Sequence, residues 1–312
     1  MGSADALQQQ QKISSLQVLI GDSVEVFSLL ATNPYCQIYK GSKDGEACII
    51  KQYADGRQNL ADREVEGITA YDKSVMGNSG FNSCRVLFHH QESGIFAMSF
   101  VPGSPLAHRL RSGMGTRERS EVLEQMEKLG NWLARFTALE RKKGKPDEFL
   151  GDYLLYCSGK LEKSMWGRWL FPNVVEEAKE LIKQYHRDDQ VVGRIHGDFV
   201  PRNIHVDGTT LGVIDFANTL RESSPLNDLI NFRMALENMG MSAKNTRSIY
   251  GALLSGFRSY ECGNAELEFY GEYHRRRWLM LNLTSRQPWR VALGIRGLAT
   301  FAKKGRVREW WP

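Results

Sequence analysis

The chain has 312 residues, 42% of them hydrophobic and 25% charged, a composition that excludes collagen-like and disordered classes and leaves room for two domains. No apolar run approaches the roughly 18 residues of a membrane-spanning helix. The net charge of +5 is unevenly spread: from Gly271 to Pro312 ten basic residues face two acids, a net +8, which leaves about −3 for everything before.

The first residues, Met1 to Gln11, lack the basic and apolar regions of a secretory signal. Residues 1–20 read as a flexible polar leader. A β-rich region follows. Glu25 to Ala31 alternates, and Gln37 to Gly41 and Glu46 to Tyr53 flank Asp44-Gly45, a hairpin signal. Leu60 to Tyr71 has helical character, weakened by Gly67. Arg85 to His90 and Gly94 to Val101 read as two further strands, and Pro102-Gly103 breaks the second. Beyond that break the chain turns helical. From Arg119 to Glu140, residues such as Val122, Met126, Leu129, Leu133 and Phe136 recur at spacings of three and four, one apolar helix face. Further helices are expected at Val174 to Tyr185, Leu226 to Asn238, Thr246 to Tyr260, Ala265 to Leu281 and Trp289 to Lys303. Between them, Ile204 to Val206 and Leu211 to Ile214 form a second hairpin about Asp207-Gly208.

The chemistry gathers on that hairpin. Its approach reads Arg194-Ile195-His196-Gly197-Asp198-Phe199-Val200-Pro201-Arg202-Asn203, and its exit Val213-Ile214-Asp215-Phe216. A hairpin brings its outer ends together, so Asn203 and Asp215 should lie side by side with Asp198 above them. Two carboxylates and an amide oxygen make a hard-oxygen site suited to Mg2+. Phosphoryl transfer needs such a site, because its transition state spreads charge over oxygens that cations must hold in line. In that scheme Asp215 and Asn203 are metal ligands and Asp198 takes the proton of the acceptor hydroxyl.

His196-Gly197-Asp198, four residues and Asn203, then Ile214-Asp215-Phe216, resembles the catalytic and metal motifs of the aminoglycoside phosphotransferase and choline kinase family. These are small-molecule relatives of the protein kinases. The resemblance implies an α+β, two-lobed protein-kinase-like fold over roughly residues 20–300. A β-rich nucleotide-binding lobe would span 21–101, and a larger helical lobe, 102–312, would carry the catalytic loop and acceptor site. It further implies that Lys51 contacts the phosphates of ATP or GTP and pairs with a helix glutamate. Glu64 shares a helix face with Leu60 and Ile68 and is preferred over Glu66. Ile49, on the face of Lys51, would line the base pocket, and backbone groups near Ser99 and Phe100 would hydrogen-bond the base. His196 and Asp228 match residues that orient the catalytic loop. One departure stands out: the phosphate-covering loop, Ala31 to Gln37, contains no glycine.

The expected partners are a nucleoside triphosphate and a small hydroxyl compound, with no nucleic acid. The basic C-terminal region favours a neutral or anionic acceptor, such as a phosphorylated or lipid-linked saccharide, or contact with an anionic surface. Five cysteines without a C-x-x-C pair point to reduced thiols and the cytoplasm, and zinc is not expected. Two other readings stand beside the kinase: a catalytically weak, nucleotide-binding pseudokinase that scaffolds a partner through its basic C-terminal region, favoured by the glycine-free loop, and a metallohydrolase built on His196, Asp198, His205 and Asp215.

Overall fold

The Asp44-Gly45 pair adopts positive φ at both residues, 52° and 81°, as a two-residue hairpin turn that matches strand twist requires. The computed structural model, to which this turn belongs, describes residues 2–111, 116–144, 148–164, 173–185, 190–257, 264–283 and 291. The helix expected at Trp289 to Lys303 therefore lies almost wholly outside the described residues.

In chain order, helix α1 (Gly2–Ile20) precedes strands β1 (Glu25–Thr32), β2 (Cys36–Lys43) and β3 (Glu46–Tyr53), then α2 (Gln58–Val75), β4 (Val86–His90) and β5 (Ile95–Ser99). A short strand β6 (Ser104–Pro105) leads to α3 (Leu106–Arg111) and α4 (Thr116–Ala138). Then come β7 (Lys142–Gly144), α5 (Phe149–Lys163), α6 (Val174–Tyr185) and β8 (Gln190–Ile195). The second hairpin is β9 (Ile204–Asp207) and β10 (Thr210–Val213), followed by β11 (Leu220–Ser223), α7 (Leu226–Asn238), α8 (Ala243–Gly256) and α9 (Asn264–Leu283).

The chain divides into two compact units. One comprises Met1–Leu139, His196–Thr219 and Met239–Arg258; the other comprises Glu140–Ile195, Leu220–Asn238 and Ser259–Pro312. The division does not follow the break at Pro102. The reason is packing: α4 lies against α2, with Trp132 edge-on to Tyr71, and so joins the unit that holds the sheet.

The first unit is built on an antiparallel sheet of order β1-β2-β3-β5-β4. Val26, Tyr39, Cys48, Ile50, Ile95 and Ala97 fill one face and are covered by Leu16, Ile20 and Val24. The stretch read as a flexible leader is thus a helix seated on the sheet. Ile13, Leu16 and Ile20 fall on the side that meets the sheet, whereas Leu7, Val18 and Leu19 are exposed. Burying Leu16 and Ile20 contributes about 1.5–3 kcal/mol each. Gln17 anchors the helix to the edge strand, donating to the carbonyls of Gly21 and Val24 and accepting from the Val26 amide. The opposite face of β3 carries Ile49, Lys51 and Tyr53, and the last two meet α2.

The second unit pairs a small sheet of order β11-β8-β7 with helices α5, α6, α7 and α9. Cys157 and Leu161 of α5 pack on Leu279, Met280 and Leu283 of α9. No helix among the described residues is long and apolar enough to cross a membrane.

Candidate active site

The catalytic loop is fastened from both ends of the β9–β10 hairpin. Pro201–Asn203 forms one tight turn closed by Asn203 N–H on the Val200 carbonyl, 2.9 Å. The Ile214 amide then donates to the Asn203 carbonyl at 3.0 Å, so pairing continues one step beyond Val213↔Ile204. Asn203 and Asp215 are brought together as the hairpin argument required. The Asn203 side-chain nitrogen donates to Asp198 twice, to its carbonyl at 2.9 Å and to Oδ2 at 3.1 Å. That leaves the amide oxygen of Asn203 as its remaining polar atom.

His196 is fully buried and holds the loop through both ring nitrogens. Nε2 lies 3.0 Å from the Ile214 carbonyl and Nδ1 accepts from the Asp198 amide at 3.2 Å. These partners fix a neutral ring with its proton on Nε2, and burial pushes its pKa down, in agreement. Neither nitrogen is left for a metal. The metallohydrolase reading thus loses His196, while His205 sets Nδ1 3.3 Å from the Val101 carbonyl. Gly197 takes φ +81°, and a Cβ there would sit 1.9 Å from the Asn218 carbonyl oxygen. No other residue fits at that position without displacing the loop.

Asp215 is a non-glycine residue in the left-handed region, φ 68°. The conformation turns its carboxylate toward Lys51, whose Nζ lies 3.1 Å from Asp215 Oδ1 and 2.6 Å from Glu64 Oε1. Burial opposes the charge on Lys51, but Glu64 and then Asp215 outweigh it and hold the ammonium above the ordinary lysine range. Burial likewise opposes ionisation of Asp215, and Lys51 overcomes it, so that carboxyl lies below its usual value. The structure brings Glu64, rather than Glu66, to Lys51. It also adds a residue the sequence reading missed. Tyr53, two positions along β3 on the same face, donates its hydroxyl to Glu64 Oε2 at 2.6 Å. The period-two argument that selected Ile49 points equally to Tyr53.

A ring cluster supports these groups from below. Phe216 contacts Tyr71, Phe136 and the His196 ring, with centroid separations of 5.4, 5.9 and 4.6 Å. Gly67, which weakened the helix signal, is where α2 meets this cluster: a Cβ there would lie 2.6 Å from the Phe216 Cβ. Tyr71 joins α2 to the hairpin, accepting from the Val213 amide and donating to the Asn82 carbonyl.

Of the residues expected to meet a nucleotide, Ile49 stands between Lys40 and Met98 in the sheet register. Ser99 is buried and Phe100 is half exposed. Their amides are already spent, Ser99 N–H on the Arg85 carbonyl and Phe100 N–H on the Ala47 carbonyl. Only carbonyls at these two positions are left to meet a base. The glycine-free loop is likewise closed on itself. Asn33 N–H donates to the Cys36 carbonyl, while Asn33 Oδ1 accepts from both Tyr35 and Cys36. Pro34 has no amide hydrogen, so every backbone donor from Asn33 to Cys36 is engaged within the turn.

Asp228 is fully buried in the first turn of α7. The basic C-terminal region differs from its sequence reading. Arg275 and Arg276 are buried, Arg275 on Glu272 and Arg276 on Glu272, Glu177, Ser158 and the Val174 carbonyl. Arg276 thus ties α9 to α5 and α6, while Arg275 pairs within α9, and neither guanidinium is offered to an anionic partner. The basic residues beyond Leu283 lie outside the described residues.

No group of three or more His, Cys, Asp or Glu among the described residues is arranged to hold a metal. The convergent set is instead Asp215, Asn203 and Asp198, all oxygen donors, which suits a hard divalent cation that retains water and phosphate ligands and disfavours a softer one.

The sequence model of the APH phosphotransferase enzyme family matches residues 49–254. No curated protein matches the sequence significantly. Among solved structures, the amicoumacin kinase hAmiN, in complex with AMP-PNP and Ca2+, superposes with a TM-score of 0.62 at 15% identity, covering 98% of this chain and 97% of that one. Aminoglycoside phosphotransferase APH(4)-Ia with ADP and hygromycin B gives 0.59 at 15% identity, over 94% and 98%. The GDP and kanamycin complex of APH(2")-IIIa gives 0.58 at 16%, over 94% and 98%. At these identities the likeness establishes the α+β kinase-like fold.

Proposed function

The chain belongs to the APH phosphotransferase enzyme family and is a small-molecule phosphotransferase, and we propose that it moves the terminal phosphoryl group of ATP or GTP to a hydroxyl of a sugar, amino sugar or alcohol. The observation that carries this reading is the continuous set Glu64–Lys51–Asp215 beside Asp198–Asn203. It supplies a cation for phosphate, oxygen donors for magnesium and a carboxylate for the acceptor.

We divide the chain by role, not compactness: residues 21–101 hold the nucleotide, and 102–312 carry the catalytic loop and the acceptor site. Ile49 lines the base pocket, and the base bonds to backbone carbonyls at Ser99 and Phe100. Lys51 shifts its contact from Asp215 to phosphate oxygens when nucleotide enters, with Glu64, itself held by Tyr53, fixing its position. Asp215 and Asn203 would hold magnesium, which when bound neutralises charge on the phosphates. Asp198 Oδ2 is held by Asn203 and Arg202, so Oδ1 is the oxygen that orients the acceptor hydroxyl and receives its proton. With the Asn33 turn closed, side chains and not loop amides grip the phosphates. We place the reaction in the cytoplasm, consistent with Cys36, Cys48, Cys84 and Cys157 being free and buried.

Phosphorus NMR of the protein with magnesium, nucleotide and pooled hydroxyl compounds tests the reading. A new phosphoester resonance that disappears in Asp198→Ala is the expected result. A nucleotide-binding scaffold would share the closed Asn33 turn, and it would give no phosphoester and no Asp198-dependent turnover.

A further inference from the structure

The residue between Pro201 and Asn203 does more than hold Asp198 Oδ2. Both neighbours are buried, whereas the Arg202 side chain is 67% exposed and reaches back to Asp198, Nη2 to Oδ2 at 2.7 Å. Its charge is also felt at Asp215. The guanidinium therefore stands at the edge of the catalytic carboxylate, on the oxygen opposite to the one left for the acceptor. One arm of its planar fork is engaged there and most of the side chain is open to solvent.

This placement acts on acceptor charge. A polycationic acceptor approaching Asp198 meets a carboxylate whose charge is already countered, next to an exposed cation. An acceptor with a carboxylate or phosphate near its reacting hydroxyl meets the reverse: an arginine fork able to take two oxyanion oxygens side by side. The nucleotide phosphates are served by Lys51, which lies on the Asp215 side and is tied by Glu64 and Asp215. Arg202 is tied by Asp198 alone among its ion pairs in the described residues, so engaging an oxyanion requires only a small rotation of an exposed side chain.

We propose that Arg202 is the specificity-determining residue of the acceptor site and selects hydroxyl compounds that carry an oxyanion group beside the phosphorylated position. The inference rests on the phosphotransferase reading above and concerns the substrate class of the same site.

The test uses the full chain, with Arg202→Ala and Arg202→Lys, and four probes of common skeleton: glucose, glucosamine, gluconate and glucose 6-phosphate. Phosphoester formation is measured for each, and nucleotide turnover is followed separately. The expected wild-type order places an anionic probe first. In Arg202→Ala the ratio of anionic to neutral kcat/KM falls by about tenfold or more, as loss of one charge-assisted hydrogen bond implies, and Arg202→Lys restores part of it. The ratio is the readout because a merely structural role would lower all probes alike. Preference for glucose or glucosamine overturns the proposal. So does an equal loss on every probe, a loss confined to nucleotide KM, or acceptance of none of the four. Nucleotide turnover that Asp215→Ala abolishes would, in those cases, leave the kinase reading standing while the acceptor assignment fell. Turnover indifferent to Asp215→Ala would remove both.

Discussion

Lys51 and Arg202 each set a cation against an aspartate of the site, and they are held in opposite ways. The Lys51 side chain is 8% exposed and is fixed by Glu64 and Asp215, with Tyr53 behind Glu64. Arg202 is 67% exposed and meets Asp198 from a one-turn loop. Desolvation makes the first arrangement stiff, since an unpaired charge there is costly. Solvent makes the second adjustable, because water can replace whichever partner Arg202 leaves. The difference suits a site in which one substrate is constant and the other must be selected.

The most severe way to break this arrangement is to remove the two aspartates the cations address. Asp198→Ala and Asp215→Ala should each reduce phosphoryl transfer by about a thousandfold or more, as expected for a proton acceptor and a metal ligand. Thermal unfolding should show both variants folded. Alanine at position 215 keeps a Cβ in the left-handed region, where aspartate is better tolerated, so that variant should lose somewhat more stability than the missing Lys51 contact alone accounts for.

The buried side of the comparison is tested next. Glu64→Ala leaves Lys51 with Asp215 alone and should cost about 3–5 kcal/mol of stability, with kcat reduced about a hundredfold through misplacement of the ammonium. Tyr53→Phe removes one bond to a fully buried carboxylate oxygen and should cost about 1–3 kcal/mol, with a smaller fall in kcat and an unchanged acceptor preference. A pair with one exposed member behaves otherwise: Arg202→Ala, which leaves the buried Asp198 still held by Asn203, should move the urea midpoint less than either substitution.

Much of this site was legible because its residues lie in unbroken local patterns. The Asp44-Gly45 and Asp207-Gly208 turns fixed two hairpins, and the hairpin ends then placed Asn203 beside Asp215. The family resemblance singled out Lys51 and its glutamate; period two on β3 put Ile49 on the face of Lys51, and the helix period on α2 supported Glu64 over Glu66. What stayed hidden depended on long-range contacts. Helix α1 mixes its inward Ile13, Leu16 and Ile20 with the exposed Leu7, Val18 and Leu19, so no apolar face signals until the sheet it covers is known. Strand β8 is a short run just before the catalytic motif, and its ladder partners, Lys142 to Gly144 and Leu220 to Ser223, come from distant parts of the chain. Helix α5 carries Gly151, Cys157 and Gly159, which blur its period, while its packing against α9 is non-local. The basic C-terminal residues misled for the same reason. Counting charge could not show that Arg275 and Arg276 turn inward to acids.

Acid titration sharpens the contrast between buried and exposed groups. Burial pushes His274 down to about 3, with Arg277 adding to the shift, and pushes His196 down as well. Each ring stays neutral in the fold but takes a proton near pH 6.5 once unfolded. The unfolded chain therefore binds more protons below that point. Stability is fully present above pH 6.5 and falls as the pH drops toward 3, by up to about 1.4 kcal/mol per pH unit for each such group. Urea midpoints at pH 7.5, 6 and 5 measure the slope. His274→Gln, which keeps a donor for the Asn227 oxygens, should make it shallower.

The smallest effect is expected where the sequence departed most visibly from its family. Asn33 closes the phosphate-side turn by accepting from the Tyr35 and Cys36 amides, and the turn is exposed. Asn33→Ala should lower stability by about 0.5–1.5 kcal/mol, since water replaces the lost acceptor. It also frees the Tyr35 and Cys36 N–H donors within the turn. If Lys51 and the metal site carry the phosphates, nucleotide KM should stay within about threefold of the wild type, or fall as the freed amides reach phosphate. A rise of about tenfold or more in nucleotide KM, with acceptor KM unchanged, would show instead that the closed turn orders the nucleotide. The stiff element of the site would then extend from Lys51 to the edge of the sheet, and Arg202 would be left as its one adjustable part.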